Sequence, residues 1–197
     1  LKWRGRMDSE FKIGLISESV EVENTSNRFI NILNYPLENR KTYVGAQTSY
    51  SYKNFDNKVF PTLGMSFLLE GGWKQNIERN KENIGYITPS LAFNYKISTN
   101  GKVVFATKLK GNLLLGDTFE FYHAASIGGL DGLRSYRKQR FIGNSSFYQN
   151  TDSRFNLKSV KTSIIPVQYG VFTGFDYGRV WLTNENYNNW KTSYGGG

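Results

Sequence analysis

Residues 84–115 read IGYITPSLAFNYKISTNGKVVFATKLKGNLLL, and the stretch alternates. Ile87, Pro89, Leu91, Phe93, Tyr95 and Ile97 fall on one side of an extended chain, with Thr88, Ser90, Asn94 and Lys96 on the other. Ser98-Thr99-Asn100-Gly101 interrupts the pattern, and Asn-Gly is a strong hairpin signal. Beyond it, Val103, Phe105, Leu109, Leu113 and Leu115 oppose Ala106, Lys108, Lys110 and Asn112. Successive strand side chains point to opposite faces, so each arm of this hairpin has one apolar and one polar face.

The same grammar extends outward. Leu63, Met65, Phe67, Leu69 and Trp73 stand against Ser66, Glu70 and Lys74. Ile165, Val167, Tyr169, Val171, Phe175 and Tyr177 stand against Gln168, Gly170, Gly174 and Asp176. Fainter runs cover Phe11–Asn24, Tyr43–Asn54 and Phe147–Ser159, and a last strand begins near Ser193. These runs are about 11 to 17 residues long, whereas strands average ~5 to 6 and a tilted strand crosses a bilayer in ~9 to 11. Length therefore points to membrane-spanning strands over the competing soluble β-sandwich.

Connection lengths add an independent signal. Asp56–Thr62, Ser98–Gly101 and Ser159–Ser163 are short; Thr25–Thr42, Ile77–Asn83, Gly116–Ser146 and Thr183–Thr192 are longer and polar. Short turns and long loops alternate along the chain, as they do in transmembrane barrels. The fold class is thus all-β, an antiparallel transmembrane β-barrel, with about eight strands present. A composition of 14 Phe, 13 Tyr, 4 Trp and 20 Gly, with only 4 Pro, suits such strands. Trp73, Trp181 and Trp190 near strand ends read as an interfacial girdle, or, in a soluble protein, as core aromatics.

Several function classes recede on composition. With 0 Cys there are no disulfides or thiolate metal sites. The net charge of +9 is scattered through the alternating runs, so it argues for anionic lipid head groups and against nucleic acid. Gly128–Gly132 lacks the Gly-Lys-Ser/Thr ending of a phosphate loop. Ser126, Ser145 and Ser146 have no nucleophile-elbow context. His123 is the only His, and beside Phe119 and Tyr122 it reads as packing. Glu18, Glu21 and Glu23 read as a solvated rim and not as a paired-carboxylate site. No catalytic residue, metal or cofactor is expected.

Phe121–Asp152 reads FYHAASIGGLDGLRSYRKQRFIGNSSFYQNTD. Its Gly128-Gly129 pair, the tetrad Leu133-Arg134-Ser135-Tyr136 and the later Asp152 resemble the sixth surface loop of the bacterial surface antigen (BamA/TamA-like) family. Gly174–Trp181, GFDYGRVW, resembles that family's following strand, with an inward Asp ahead of a Gly and an apolar-Trp pair. The terminal SYGGG resembles the start of the strand after it. The likeness covers Phe60 to Gly197 by motif and the first 60 residues by pattern. Ser135 stands where the tetrad usually has Gly, which puts a side chain into a close backbone approach. The loop's wording is nearest to Bacteroidetes-type members in which the barrel is fused to a calcineurin-like metallophosphoesterase.

That resemblance implies a sixteen-stranded barrel, of which residues 1–197 supply about the seventh to the fourteenth strand and the inward-folding loop 116–146. It implies that Arg134 is the loop tip, reaching Asp176 and, as a second acceptor, Asp152, with Tyr136, Gly128 and Gly129 shaping the loop. A guanidinium offers a carboxylate a planar fork of donors, which suits that role. It further implies the Gram-negative outer membrane, a part in assembly, insertion or translocation of outer-membrane proteins, and lipids and client or complex proteins as partners. The alternative from the same resemblance is the membrane anchor of a metallophosphoesterase encoded upstream. No leader opens the chain, an open half-sheet is unstable alone, and the last strand stops as it starts; a longer parent chain is expected.

Overall fold

The computed structural model describes residues 2–4, 8–22, 40–78, 82–116, 119–130, 132–161, 166–182 and 189–197. Long strands dominate it: β2 (Ser9–Val20), β3 (Lys41–Phe55), β4 (Gly64–Asn76), β5 (Asn83–Lys96), β6 (Val103–Leu115), β9 (Ser145–Lys161) and β10 (Pro166–Trp181). Shorter pieces are β1 (Lys2–Arg4), β7 (Ala125–Ile127), β8 (Phe141–Gly143) and β11 (Lys191–Gly196). Nine strands form one sheet in the order β1-β2-β3-β4-β5-β6-β9-β10-β11, while β7 and β8 pair separately. Every neighbouring pair is antiparallel. The sheet is open, with β1 and β11 at its edges.

Expected and observed strands agree closely where alternation is strong. Val103–Leu115 is one strand end to end, and the run from Ile84 begins one residue earlier, at Asn83. The run from Phe11 begins at Ser9 and ends at Val20. β1, β7 and β8 span 3 residues each, too few for a period of two to register. The turn read as Ser159–Ser163 starts later, because β9 continues to Lys161 and pairs with Pro166. Most of the Thr25–Thr42 and Thr183–Thr192 connections, the rest of that turn, Glu23, Asn24, Asp131 and Ile165 lie outside the described residues.

Register keeps the two faces separate across the sheet. Leu69 lies opposite Pro89, Leu91 opposite Leu109, and Val171 opposite Phe155. This apolar face is bare: Leu15 is 90% exposed, Val171 49% and Phe93 37%. No second layer covers it among the described residues, so the soluble sandwich is not the architecture. An apolar sheet face of this extent is a surface for acyl chains.

The short turns are internally satisfied. The Asp56 carboxylate accepts the Thr62 hydroxyl at 2.5 Å and the backbone N–H groups of Asn57, Thr62 and Leu63 at 2.9–3.0 Å. Those bonds to the charged form, the Thr62 hydroxyl foremost, bring its pKa down to about 2.

A hydrophobic cluster of buried residues lies on the polar face, where the loop between β6 and β9 folds back. Ile127, Leu133 and Tyr148 form its core, with Tyr136, Phe141 and Val180 against them.

Candidate functional site

The loop begins with one 3-10 turn, Phe121–His123, and continues into the β7–β8 hairpin. The chain between those two strands is wound tightly. Gly128 and Gly129 adopt φ of +132° and +77°, a region that favours glycine. The Gly129 N–H donates to the carbonyls of Leu133 and Tyr136 at 3.1 and 3.0 Å. A Cβ on Gly128 would run into the Arg137 carbonyl. The pair therefore closes a knot that turns Leu133 into the core and aims Arg134 at the sheet. Tyr136 braces the knot edge-on against Phe141, with ring centroids 5.1 Å apart.

Arg134 meets two carboxylates on adjacent strands. Its backbone N–H donates to Asp176 Oδ2 at 2.9 Å, Nε to Oδ1 at 2.9 Å, and Nη2 to Oδ1 at 2.5 Å. Nη1 donates to Asp152 Oδ1 at 2.7 Å. Asp176 is wholly buried. Its remaining lone pairs take Asn150 Nδ2 and the Ser193 hydroxyl, both at 2.7 Å. Asn150 also donates to the Gly132 carbonyl at 2.5 Å, tying the knot to β9. Arg154 lies 3.6 Å from the outer oxygen of Asp152, so two cations balance two anions. A buried carboxylate is tolerable when it is paired and fully hydrogen-bonded, as Asp176 is.

Alternation explains this convergence. Asp152 and Gly174 are register partners, as are Asn150 and Asp176, and Asp176 and Ser193. All therefore face the same side, within one two-residue repeat of each other. Gly174 leaves the space the guanidinium fills: a Cβ there would lie 2.8 Å from Arg134 Cζ.

Sequence reading missed several members of the site. Asn150 shares the period-two face with Asp152, but nothing in the sequence marks it as a ligand of Asp176. Ser193 lies in a short strand, Lys191–Gly196, whose register only pairing defines. Ser135, the departure from the tetrad, does not block the approach: its hydroxyl donates to the Tyr194 carbonyl at 2.8 Å and fastens the loop to β11.

The base of the loop has its own anchor at the other end of the sheet. Glu120 pairs with Lys41, which also lies 3.4 Å from Glu82. Tyr43 and Asn76, both wholly buried, donate to Glu82 at 3.3 and 3.2 Å. Glu18 pairs with Lys74 and lies 3.5 Å from His123 Nε2. The His123 side chain, 4% exposed, sits edge-on to Tyr43 and Tyr122 at 4.9 and 4.4 Å. Glu18 is thus the half-buried member of a paired network, whereas Glu21 is exposed, as a solvated rim requires. Sequence reading had no access to this cluster, whose paired members lie far apart in the chain, Lys41 and Glu120 by 79 positions and Glu18 and His123 by more.

Burial lowers the His123 pKa to about 4, with the Lys74 charge acting in the same direction. In the unfolded chain the imidazole takes its proton near 6.5. Unfolding therefore takes up a proton between these values, and stability contributed at neutral pH is lost as pH falls from ~6.5 towards ~4. Glu82 titrates lower: against burial, the Asn76 hydrogen bond and the Lys41 charge hold its carboxyl below the usual range. Burial pushes the Glu120 carboxyl up, which acts with the opposite sign, so the slope that His123 adds between pH ~6.5 and ~5 is the part its replacement removes. Its replacement by Phe should flatten that part of the stability profile, read as the unfolding temperature of the full-length protein at stepped pH.

Comparisons with known proteins bear on the family and the fold. The family model described as the Omp85 superfamily domain matches residues 6–197. Among solved structures, the crystal structure of BamA from Haemophilus ducreyi lacking POTRA domains 1-3 is similar, with a TM-score of 0.73 at 16% identity. That likeness covers 96% of this chain and 44% of the other, so this chain spans less than half its length. No curated protein sequence matches.

Proposed function

The chain belongs to the Omp85 superfamily and forms part of an outer-membrane β-barrel of that family; from this premise we propose that it works in the insertion or translocation of other outer-membrane proteins. In this reading residues 1–197 supply about the seventh to the fourteenth strand, and loop 116–146 is the sixth surface loop. The polar face lines the lumen, the bare apolar face meets outer-membrane lipids, and the partners are client barrels or subunits of a complex. The role is non-catalytic.

The observation that carries the proposal is the Arg134 clamp onto Asp176 and Asp152. A barrel that opens elsewhere to pass clients needs one wall that stays rigid. The guanidinium joins β9 and β10, Ser193 and Ser135 tie β11 to the same site, and the Glu120–His123 anchor joins the loop to β2, β3 and β4. The loop thereby braces the span between those two groups of strands.

Depletion of the full-length protein from its host provides the test. Folded outer-membrane barrels are expected to fall, with unfolded precursors accumulating behind them. Normal levels of those barrels would overturn the assembly role and leave only the family membership standing.

A further inference from the structure

We propose that the turn Arg137–Arg140 of the inward-folded loop is a docking point for an acidic stretch of polypeptide that enters the lumen. The proposal rests on the lumenal reading above and not on the assembly role. Residues 128–140 read GGLDGLRSYRKQR, which places four cations and one carboxylate in thirteen positions. Arg134 is held by Asp152 and Asp176. The other three, Arg137, Lys138 and Arg140, are all exposed. No carboxylate meets any of the three among the described residues. Those at the two anchors of the loop already have cations: Asp152 and Asp176 have Arg134, Glu120 has Lys41 and Glu18 has Lys74.

The three cations stand on a stiff support. The Arg140 N–H donates to the Arg137 carbonyl at 3.1 Å and closes the turn. Gln139 inside it has a φ of +53°, at a place where Gly or Asn is the usual residue. Gly128 and Gly129 back the turn: a Cβ on Gly128 would lie 3.0 Å from the Arg140 nitrogen, and one on Gly129 3.2 Å from Lys138 Cα. The Arg140 guanidinium carbon rests 5.8 Å from the centre of the Phe141 ring, which Tyr136 meets edge-on. Turn and knot are thus one packed unit. Charges held this way are presented without the cost of ordering a free loop on binding.

Chemistry and placement select the partner. Separate charges along one turn suit a run of carboxylates more than a single compact anion. Leu130, next to the Gly129 that packs against Lys138, is 93% exposed. An apolar side chain in a basic surface adds a contact that a phosphate leaves unused and that an acidic peptide with interspersed Leu can cover. The knot sits over Tyr148 and Asp176 on the polar face, so the sheet stands between it and the acyl chains. The wall beside it has the same sign, since Lys110 is the register partner of Tyr148 and Lys108 that of Asn150. A cleft lined by one sign of charge focuses its field and draws in the opposite sign.

The experiment uses full-length protein in a neutral detergent and a short fluorescent peptide of Asp, Glu and Leu, with binding read as anisotropy. Wild type is expected to bind it and to ignore the same peptide with Asn and Gln in place of the acids. Combined Arg137→Gln, Lys138→Gln and Arg140→Gln should weaken binding about tenfold, as three exposed charge contacts together would. Leu130→Ser should weaken it by a smaller factor and leave its salt dependence unchanged. Lys53→Gln with Lys96→Gln, at the short-turn end of the same face, should bind as wild type does. The triple variant should keep the heat-dependent gel mobility; Lys138→Glu alone, which should weaken binding more than Lys138→Gln, gives a second reading with less change to the turn. Equal affinity of triple variant and wild type would overturn the proposal. So would tighter binding of polyphosphate than of the peptide at equal charge, with Leu130→Ser making no difference. A protein that stays in solution without detergent and lacks heat-dependent mobility would instead sink the membrane reading itself, whatever the peptide does.

Discussion

Arg134→Ala is expected to destabilise the barrel by about 3 kcal/mol, the lower end of the range for breaking a buried ion pair from one side. The low end applies because the Arg134 side chain keeps 22% of its surface, while Asp176 keeps none. Removing the guanidinium leaves Asp176 ionised in a site whose other donors, Asn150 and Ser193, are neutral. It also releases Asp152 and the knot around Gly128 and Gly129. The readout is the temperature at which full-length protein changes from compact to unfolded mobility on a gel. Arg134→Ala combined with Asp176→Asn should cost less than the two single losses added together, because each single change strands a charge that the double change removes. An Arg134→Ala protein that melts with wild type would show that the clamp contributes nothing.

Gly174→Val carries the second large effect, and it tests shape where the first tests charge. A Cβ on Gly174 would enter the space of the guanidinium, with Cζ at 2.8 Å and Nη1 at 2.9 Å. The backbone is extended and tolerates any residue; only the approach of Arg134 forbids a side chain. Either the guanidinium leaves its carboxylates or the strand shifts, at a cost of about 2 to 3 kcal/mol. In an Arg134→Ala background the obstacle is gone, and valine is a good strand former. The same substitution should then be close to neutral, which a comparison of melting temperatures in the two backgrounds will reveal. Equal costs in both backgrounds would mean that Gly174 is there for some reason other than Arg134.

Particular elements show how far the sequence could be read. Ile84–Leu115 was legible as a hairpin because side-chain alternation is a local property, written residue by residue. The apolar-out, polar-in partition followed at once, and it is the partition the sheet displays. Arg134 and the two carboxylates were nameable through a resemblance carried by their motifs. That Asn150, Ser193 and Gly174 complete their surroundings was not nameable, because each acquires its role from the register between β9, β10 and β11. Ser135 shows the limit well. As a sequence feature it was a missing glycine, and in the structure it is a hydrogen bond to the Tyr194 carbonyl.

Strand content, strand length, the hairpin at Asn100-Gly101 and the two-faced character of the sheet were determined by the sequence alone, since they depend on period and turn chemistry within a few residues. Tertiary structure decided where the long loop lies and which strands its base and tip grip. Those outcomes depend on groups far apart in the chain meeting at hydrogen-bond distance. Antiparallel pairing brings about such meetings, and a shift of register by one residue would turn every one of those side chains to the opposite face.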